Sequence, residues 1–178
     1  MVCGLTSKNY NRLFLDVIKT LDKEGSLTAD ALKVILQSSD GDSVRFPTDE
    51  EFKANILNRP IYQALAQYKI RAVLEAIDQV QADRKSENLE LPNDLTIEHV
   101  MPVKWELNWP IPEEHQADPE AKLKFTQQRD QVVHTLGNLT LITGSLNPSL
   151  SNGSWQKKRP ELAKYSKLNL NRYFYPVH

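Results

Sequence analysis

The sequence has a single cysteine, few glycines and no long apolar run. Because Cys3 has no second cysteine to pair with, an internal disulfide and a cysteine-based zinc site are both excluded. No apolar stretch approaches the roughly 20 residues of a membrane-spanning helix, and the first residues lack the basic flank and apolar core of a signal peptide. We therefore expect a protein of the reducing cytoplasm with no membrane partner.

No sign of charge dominates either. The 22 Lys and Arg against 23 Asp and Glu give a formal net charge of −1. Affinity for a phosphate backbone comes largely from basic residues that release counterions, so this balance disfavours strong nucleic-acid binding by the chain alone. The basic residues are unevenly spread, however. Segment 133–178 has a single acidic residue, Glu161, and these basic residues: Lys157, Lys158, Arg159, Lys164, Lys167 and Arg172. Taken alone, such segregation favours a solvated face.

Helical patterns dominate the first part of the chain. Residues 9–23 carry apolar side chains at helical spacing, and Gly25 stands where that helix should end. Thr28 is a suitable cap for a second helix. Thr48 and Glu51 have the spacing of a capping box at the start of a third.

The third helix should end at Pro60, which cannot continue a helix without losing a backbone hydrogen bond. Residues 61–82 then predict one long helix with a broad apolar face, the spine of the N-terminal half. A polar, charged stretch follows it. We therefore expect a helical subdomain over residues 1–90.

The pattern changes in the second half. Residues 96–100 and 139–143 are short and rich in β-formers, so both predict strands. A long segment with an irregular, proline-rich start separates them, and long loops are often functional. Residues 154–164 predict a helix despite Pro160. The predicted fold class is α+β, mostly α, with strand, long inter-strand loop, strand and helix over residues 91–178.

The pair Glu98–His99 closes the first predicted strand. An imidazole titrates near pH 6.5 and can take a proton from water, and a carboxylate is a hard oxygen ligand of the kind Mg²⁺ prefers. A lone Glu–His pair is more often a capping or surface feature. Its combination with Asn138 and with Asn147, nine residues further on, favours a catalytic site.

Three segments together resemble the C-terminal HNH domain of GmrSD-type modification-dependent restriction endonucleases. They are TIEHVMP at 96–102, LGNLTL at 136–141, and the stretch 147–158 from Asn147 to the lysine pair. Residues 46–62 are similar to the helical region that precedes this motif in the family, and 166–172 to its closing segment. The resemblance implies a ββα-metal (HNH, or His-Me finger) nuclease core that hydrolyses DNA phosphodiester bonds with Mg²⁺ or Mn²⁺.

By position, the resemblance implies His99 as the general base. Glu98 and Asn147 would be the metal ligands, with Asn147 counted also among the catalytic residues. Asn138 would brace the loop and orient His99 rather than touch the metal. The alternative for Asn147 is an ordinary Asn-Pro turn.

Asn152, Lys157 and Lys158 are candidates for shaping the site and contacting phosphate, and solvated charges are the alternative for the two lysines. His134, three residues before Gly137, could approach the active site, but a structural or surface role is favoured. The family often continues its motif as Pro-Gln, whereas Val103 follows the proline here, so no role is assigned to an amide at that place.

The resemblance also implies partners. The family joins this module to a nucleotide-hydrolysing, DNA-sensing N-terminal domain, and no phosphate-binding loop occurs in this sequence, so such a domain or subunit is expected elsewhere. The substrate would be modified or phage DNA, in antiviral defence. A single HNH site would nick one strand per event. The competing hypothesis is a non-catalytic DNA-binding or protein-interaction module on the same scaffold.

Overall fold

The computed structural model describes residues 2–6, 8–25, 27–39, 45–82, 92–146, 150 and 152–174. These residues are mainly helical and include a two-stranded sheet, which confirms the predicted α+β, mostly-α class. The chain forms two compact units, Met1–Leu57 and Asn58–His178. Among the described residues, no helix has the length and apolar character needed to cross a membrane.

The first unit contains α1 (Tyr10–Glu24), α2 (Ala29–Ser38) and all but the last residue of α3 (Asp49–Asn58). Gly25 ends α1 in the left-handed conformation (φ 66°), which costs glycine little because it has no Cβ. The Thr28 hydroxyl accepts the Ala31 N–H in the first turn of α2, and the Thr48 hydroxyl accepts the Glu51 N–H in the first turn of α3. The predicted helices and their caps are therefore confirmed.

The single helix predicted over residues 61–82 is wrong. The structure has a one-turn helix, α4 (Ile61–Ala64), and a longer one, α5 (Gln67–Gln81), joined by Leu65 and Ala66 in extended conformations. Ile61 and Ile70, on either side of this break, are both fully buried in one core. Burial on both sides overrides the continuous helical pattern, since tertiary packing outweighs intrinsic propensity.

The sheet pairs β1 (Leu95–His99) with β2 (Leu139–Thr143) in antiparallel register, so that His99 lies opposite Leu139. Both predicted strands are thus confirmed to within one residue. The helix predicted after them is α8 (Trp155–Tyr165), with Pro160 inside it.

One apolar core joins the sheet to helices that the sequence analysis assigned to the N-terminal subdomain. Its buried members are Ile61, Ile70, Leu74, Leu95, Leu139, Leu141 and Leu168. The two compact units divide between Leu57 and Asn58, and the boundary expected from composition lies at residues 90 and 91.

The segment between the strands contains α6 (Glu113–Gln116) and α7 (Pro119–Val132), with 3-10 turns at Trp105–Leu107 and Leu136–Asn138. The sequence pattern predicted only a long loop here. Asp118 caps α7 by accepting the Glu120 N–H at 2.9 Å, and Pro119 opens the helix. The sequence contains this cap signal. However, α7 has no buried residue and so lacks the apolar periodicity that indicates a helix.

Asp78 on α5 fixes the C-terminal 3-10 segment Asn169–Phe174. Only 4% exposed, it accepts the Leu170 N–H at 2.8 Å, and its main-chain oxygen accepts from Asn169. Asp78→Ala would leave that partly buried N–H without its acceptor, so we expect a loss of about 1–3 kcal/mol in the free energy of unfolding. Chemical denaturation measures it. Asp78→Asn keeps an acceptor oxygen and should retain most of the stability; equal stability of wild type and Asp78→Ala would contradict this role.

Candidate active site

His99 is the last residue of β1, where the chain leaves the sheet. The Val100 N–H donates to the Asn138 carbonyl at 2.9 Å, which continues the pairing one step past the strand. His99 is 9% exposed and Glu98 is 8% exposed. Side chains of neighbouring strand residues point to opposite faces, and these two accordingly contact different parts of the unit.

Two aromatic rings hold the His99 imidazole. The Tyr62 ring, on α4, meets it edge to face with centroids 4.3 Å apart. His134 lies on another side, with its Nδ1 at 3.3 Å from His99 Nε2. Tyr62 and His134 are themselves stacked almost parallel, with an interplanar angle of 12°. The three rings therefore form one cluster, with the His99 ring fixed by both neighbours.

The environment of His99 favours its neutral form. Burial, followed by the nearby His134 and Lys158, lowers the pKa of His99 from 6.5 to about 4. Each of these causes disfavours a positive charge on the ring. The imidazole is consequently uncharged at neutral pH, which is the state a general base requires.

Asn138 ties the segment after β1 to the segment before β2. Its Oδ1 accepts the Met101 N–H at 2.8 Å, and its Nδ2 donates to the carbonyls of Met101 and Val133, both at 2.8 Å. These bonds hold the backbone just after His99 and just before His134. Their effect on catalysis stays a prediction.

Glu98 makes an ion pair with Lys158 of α8. Lys158 Nζ lies 2.5 Å from Glu98 Oε1 and also donates to the main-chain oxygen of His99 at 2.6 Å. Burial raises the pKa of Glu98, and the lysine offsets part of that effect. The ammonium thus joins the end of β1 to α8 at two points.

The burial of Lys158 fits neither a phosphate contact nor a solvated charge, and of the roles expected from the sequence it leaves that of shaping the site. It is fully buried, so it has no surface for a DNA phosphate and is not a solvated charge. The reason is helical register, since Leu162, four residues later, is also fully buried and shares its face of α8. Lys157 is exposed, because it lies on another face of the helix.

The remaining predicted residues are separated or unplaced. The Asn152 side chain is exposed, and its main-chain oxygen accepts from Asn108 Nδ2 at 2.5 Å. Asn147 lies outside the described residues. Tyr62, which contacts His99 directly, was not singled out as a site residue; its only sequence signal was its place in the upstream segment of the resemblance.

The donors near His99 do not by themselves make a metal site. In the part of the chain that the structure describes, no group of three or more His, Cys, Asp and Glu side chains could hold a metal ion. Glu98 offers a carboxylate, but Lys158 already binds one of its oxygens. A divalent ion would therefore need Glu98 together with a ligand outside the described residues, for which Asn147 is the candidate.

The lowered pKa of His99 predicts how stability depends on pH. The unfolded chain takes up the proton near pH 6.5 and the folded chain only near about 4, so folding is favoured above that window and loses stability as pH falls through it. When the pH is lowered from about 7 to about 4.5, the free energy of unfolding of wild type should fall by about 1–3 kcal/mol more than that of His99→Gln, whose side chain does not titrate in this range. Glu98, with its raised pKa, has the opposite slope but is present in both proteins and cancels in the difference. Urea unfolding in the presence of a chelator measures it; equal pH dependence in both proteins would contradict the prediction.

Comparison with known proteins gives one match. Residues 46–177, which include Tyr62, the Glu98–His99 pair, Asn138 and α8, match a family model described as the C-terminal domain of GmrSD restriction endonucleases. No curated protein and no solved structure matches the chain.

Proposed function

Since this chain belongs to the family of C-terminal domains of GmrSD restriction endonucleases, we propose that it is a DNA phosphodiester hydrolase with His99 as its general base. The observation that carries this is the neutral imidazole of His99, buried at the end of β1 and held by Tyr62 and His134. A fixed ring that is unprotonated at neutral pH can take a proton from water without prior rearrangement.

The reaction follows from that assignment. His99 takes one proton from a water molecule while the water oxygen attacks phosphorus. The bond from phosphorus to the leaving sugar oxygen breaks, and that oxygen is protonated from solvent. The products are a terminal phosphate and a terminal hydroxyl, and His99 returns its proton to solvent.

The pKa of His99, about 4, belongs to the protein without DNA. A base is most effective when its pKa is near the working pH. A bound phosphodiester brings negative charge close to the ring, and a nearby negative charge favours the protonated imidazole. Substrate binding is therefore expected to raise the pKa of His99 toward neutrality and strengthen it as a base.

The proposal includes a divalent cation, Mg²⁺ or Mn²⁺, bound through Glu98 and Asn147. Such an ion would stabilise the charge that develops on the phosphoryl oxygens. Carboxylate and amide oxygens are suitable ligands for both ions. In this proposal β1, β2 and α8 are the strand, strand and helix of a ββα-metal core.

The metal proposal has its own measurement. Electron paramagnetic resonance of Mn²⁺ reports binding without any need for cleavage, and Glu98→Gln and Asn147→Ala should each weaken it. The exposed Asn108→Ala is the matched control for the amide. Binding that is unaffected by both site variants would exclude these ligands.

DNA contacts are proposed for the exposed side chains near the site. Lys157 is on the outer surface of α8 and Asn152 precedes that helix, so both are available to phosphate oxygens. With a net charge of −1, the chain is expected to bind DNA weakly alone. A nucleotide-hydrolysing sensor domain or subunit would then supply recognition of modified or phage DNA in defence.

One observation favours the competing hypothesis of a non-catalytic module. Lys158 already neutralises Glu98, the carboxylate nearest the proposed base in sequence. A scaffold that had lost its chemistry could keep this pair for stability. The two hypotheses differ in whether the purified chain breaks a phosphodiester bond.

Nicking of supercoiled plasmid by the purified chain distinguishes them. With Mg²⁺ or Mn²⁺ we expect conversion to the open circle, and no conversion in the presence of a chelator. Linear product that appears only after open circle would indicate sequential nicking. Mn²⁺ binding with no cleavage under either ion, also after addition of the sensor partner, would support the non-catalytic module instead.

A further inference from the structure

His134 makes a direct ring-to-ring contact with the proposed base. Its Nδ1 lies 3.3 Å from His99 Nε2, within range of an N–H···N hydrogen bond. From its place three residues before Gly137, His134 could approach the site, although a structural or surface role was favoured. Its position follows from the end of α7, because His134 comes two residues after that helix and four before Asn138.

The contact is held in place from several sides. The Tyr62 ring stacks on His134 with centroids 5.7 Å apart, and the Tyr62 N–H donates to the His134 carbonyl at 3.1 Å. Asn138 Nδ2 fixes the adjacent Val133 carbonyl. The two imidazoles are inclined by 79°, so one ring presents its edge to the other. This arrangement is built by both the backbone and the rings.

A neutral pair in this geometry shares one hydrogen, which leaves two arrangements. If His134 Nδ1 carries it, His99 Nε2 is the acceptor and the hydrogen of the neutral His99 ring is on Nδ1. If His99 Nε2 carries it, His99 Nδ1 has a free lone pair. Only the second arrangement leaves His99 a nitrogen that can take a proton from water.

We propose that His134 is a positioning residue that accepts the hydrogen of His99 Nε2 through its own Nδ1, which fixes His99 in the tautomer with Nδ1 free. This inference rests on the proposed function, since it assigns the nitrogen that acts as base. After Nδ1 has taken the proton, Nε2–H of the charged ring still donates to the lone pair of a neutral His134, whereas a protonated His134 would repel the charged ring. The partner of the base thus acts before and after proton transfer.

Nitrogen-15 NMR of the metal-free chain at neutral pH tests this without any nuclease assay. The chain has four histidines, so single substitutions assign the ring signals. We expect the hydrogen on His99 Nε2, with His99 Nδ1 and His134 Nδ1 both unprotonated. The Nε2–H signal should be protected from exchange with water in wild type. A hydrogen found on His134 Nδ1 would overturn the proposal.

Two substitutions of similar size separate hydrogen bonding from packing. His134→Asn keeps an acceptor oxygen near the position of Nδ1, and His134→Leu removes it. Protection of the His99 Nε2–H should persist in the first and disappear in the second, with His115→Asn as a control on α6 that should leave it unchanged. Protection that survives in His134→Leu would overturn the hydrogen bond.

Cleavage adds a kinetic readout. Loss of a residue that orients an active-site imidazole commonly costs about 10–100-fold in activity. His134→Leu should lower kcat by that factor with KM little changed, and His134→Asn should recover most of it. Equal loss in both variants would reduce His134 to a packing role. If wild type does not cut DNA, the proposed function fails, and the tautomer measurement still decides whether His134 is the acceptor.

Discussion

Lys158→Met is expected to destabilise the protein by about 3–5 kcal/mol, since it leaves the buried carboxylate of Glu98 without its partner. Methionine has nearly the length of lysine, so little of this loss comes from a cavity. The lysine is fully buried and bonded to both Glu98 Oε1 and the His99 carbonyl, so two acceptors lose their donor together. Chemical denaturation of the two proteins gives the difference in free energy of unfolding.

Two further variants identify the cause. Lys157→Met removes the neighbouring exposed lysine and should change stability by no more than about 0.5 kcal/mol. In Glu98→Gln/Lys158→Met neither charge remains, and the double variant should recover part of the loss. In Lys158→Met the carboxylate is expected to protonate more readily, so its instability should grow as pH rises. A Lys158→Met protein as stable as Lys157→Met would show that the ion pair contributes nothing.

His99→Ala is expected to reduce the single-turnover rate of DNA cleavage by about 10²–10⁴-fold, the usual contribution of a general base. DNA binding should change little, because the ring is 9% exposed and its contacts are made with Tyr62 and His134. Near-normal circular dichroism and Mn²⁺ binding would establish that the site is intact. His115→Ala, which removes a histidine from α6, is the matched control and should cut at the wild-type rate.

A rate unchanged in His99→Ala would contradict the assignment of the base. A loss equal in His99→Ala and His115→Ala would indicate a general effect on the preparation. His99→Asn, which keeps a polar side chain but cannot accept a proton at neutral pH, should be as slow as His99→Ala.

Local signals in the sequence predicted the elements well wherever they were strong. Gly25, Thr28 and Thr48 mark helix ends through their own conformations and hydroxyls, which depend on few neighbours. Residues 139–143 are β-branched or apolar throughout and form β2 with the predicted bounds. The Glu98–His99 pair was placed at the end of a strand, where the structure has it.

Features that depend on contacts distant in sequence were missed. The break at Leu65 follows from the burial of Ile61 and Ile70 in a core completed by the strands, far along the chain. Lys158 is paired with a residue 60 positions earlier, and nothing in the Lys-Lys dipeptide indicates which lysine is buried. His134 reaches His99 from 35 residues away, through the turn that leads to β2. The spacing of residues within one segment cannot predict contacts between segments that are distant in sequence.

The central claim is that His99 activates a water molecule to break a phosphodiester bond, and cleavage in ¹⁸O-labelled water tests it most directly. Single-turnover cutting by wild type, analysed by mass spectrometry, should place one ¹⁸O in the new terminal phosphate, and His99→Ala should form no such product on the same timescale. Ends without the label, a covalent enzyme–DNA species, or labelled ends formed equally fast by His99→Ala would contradict the account.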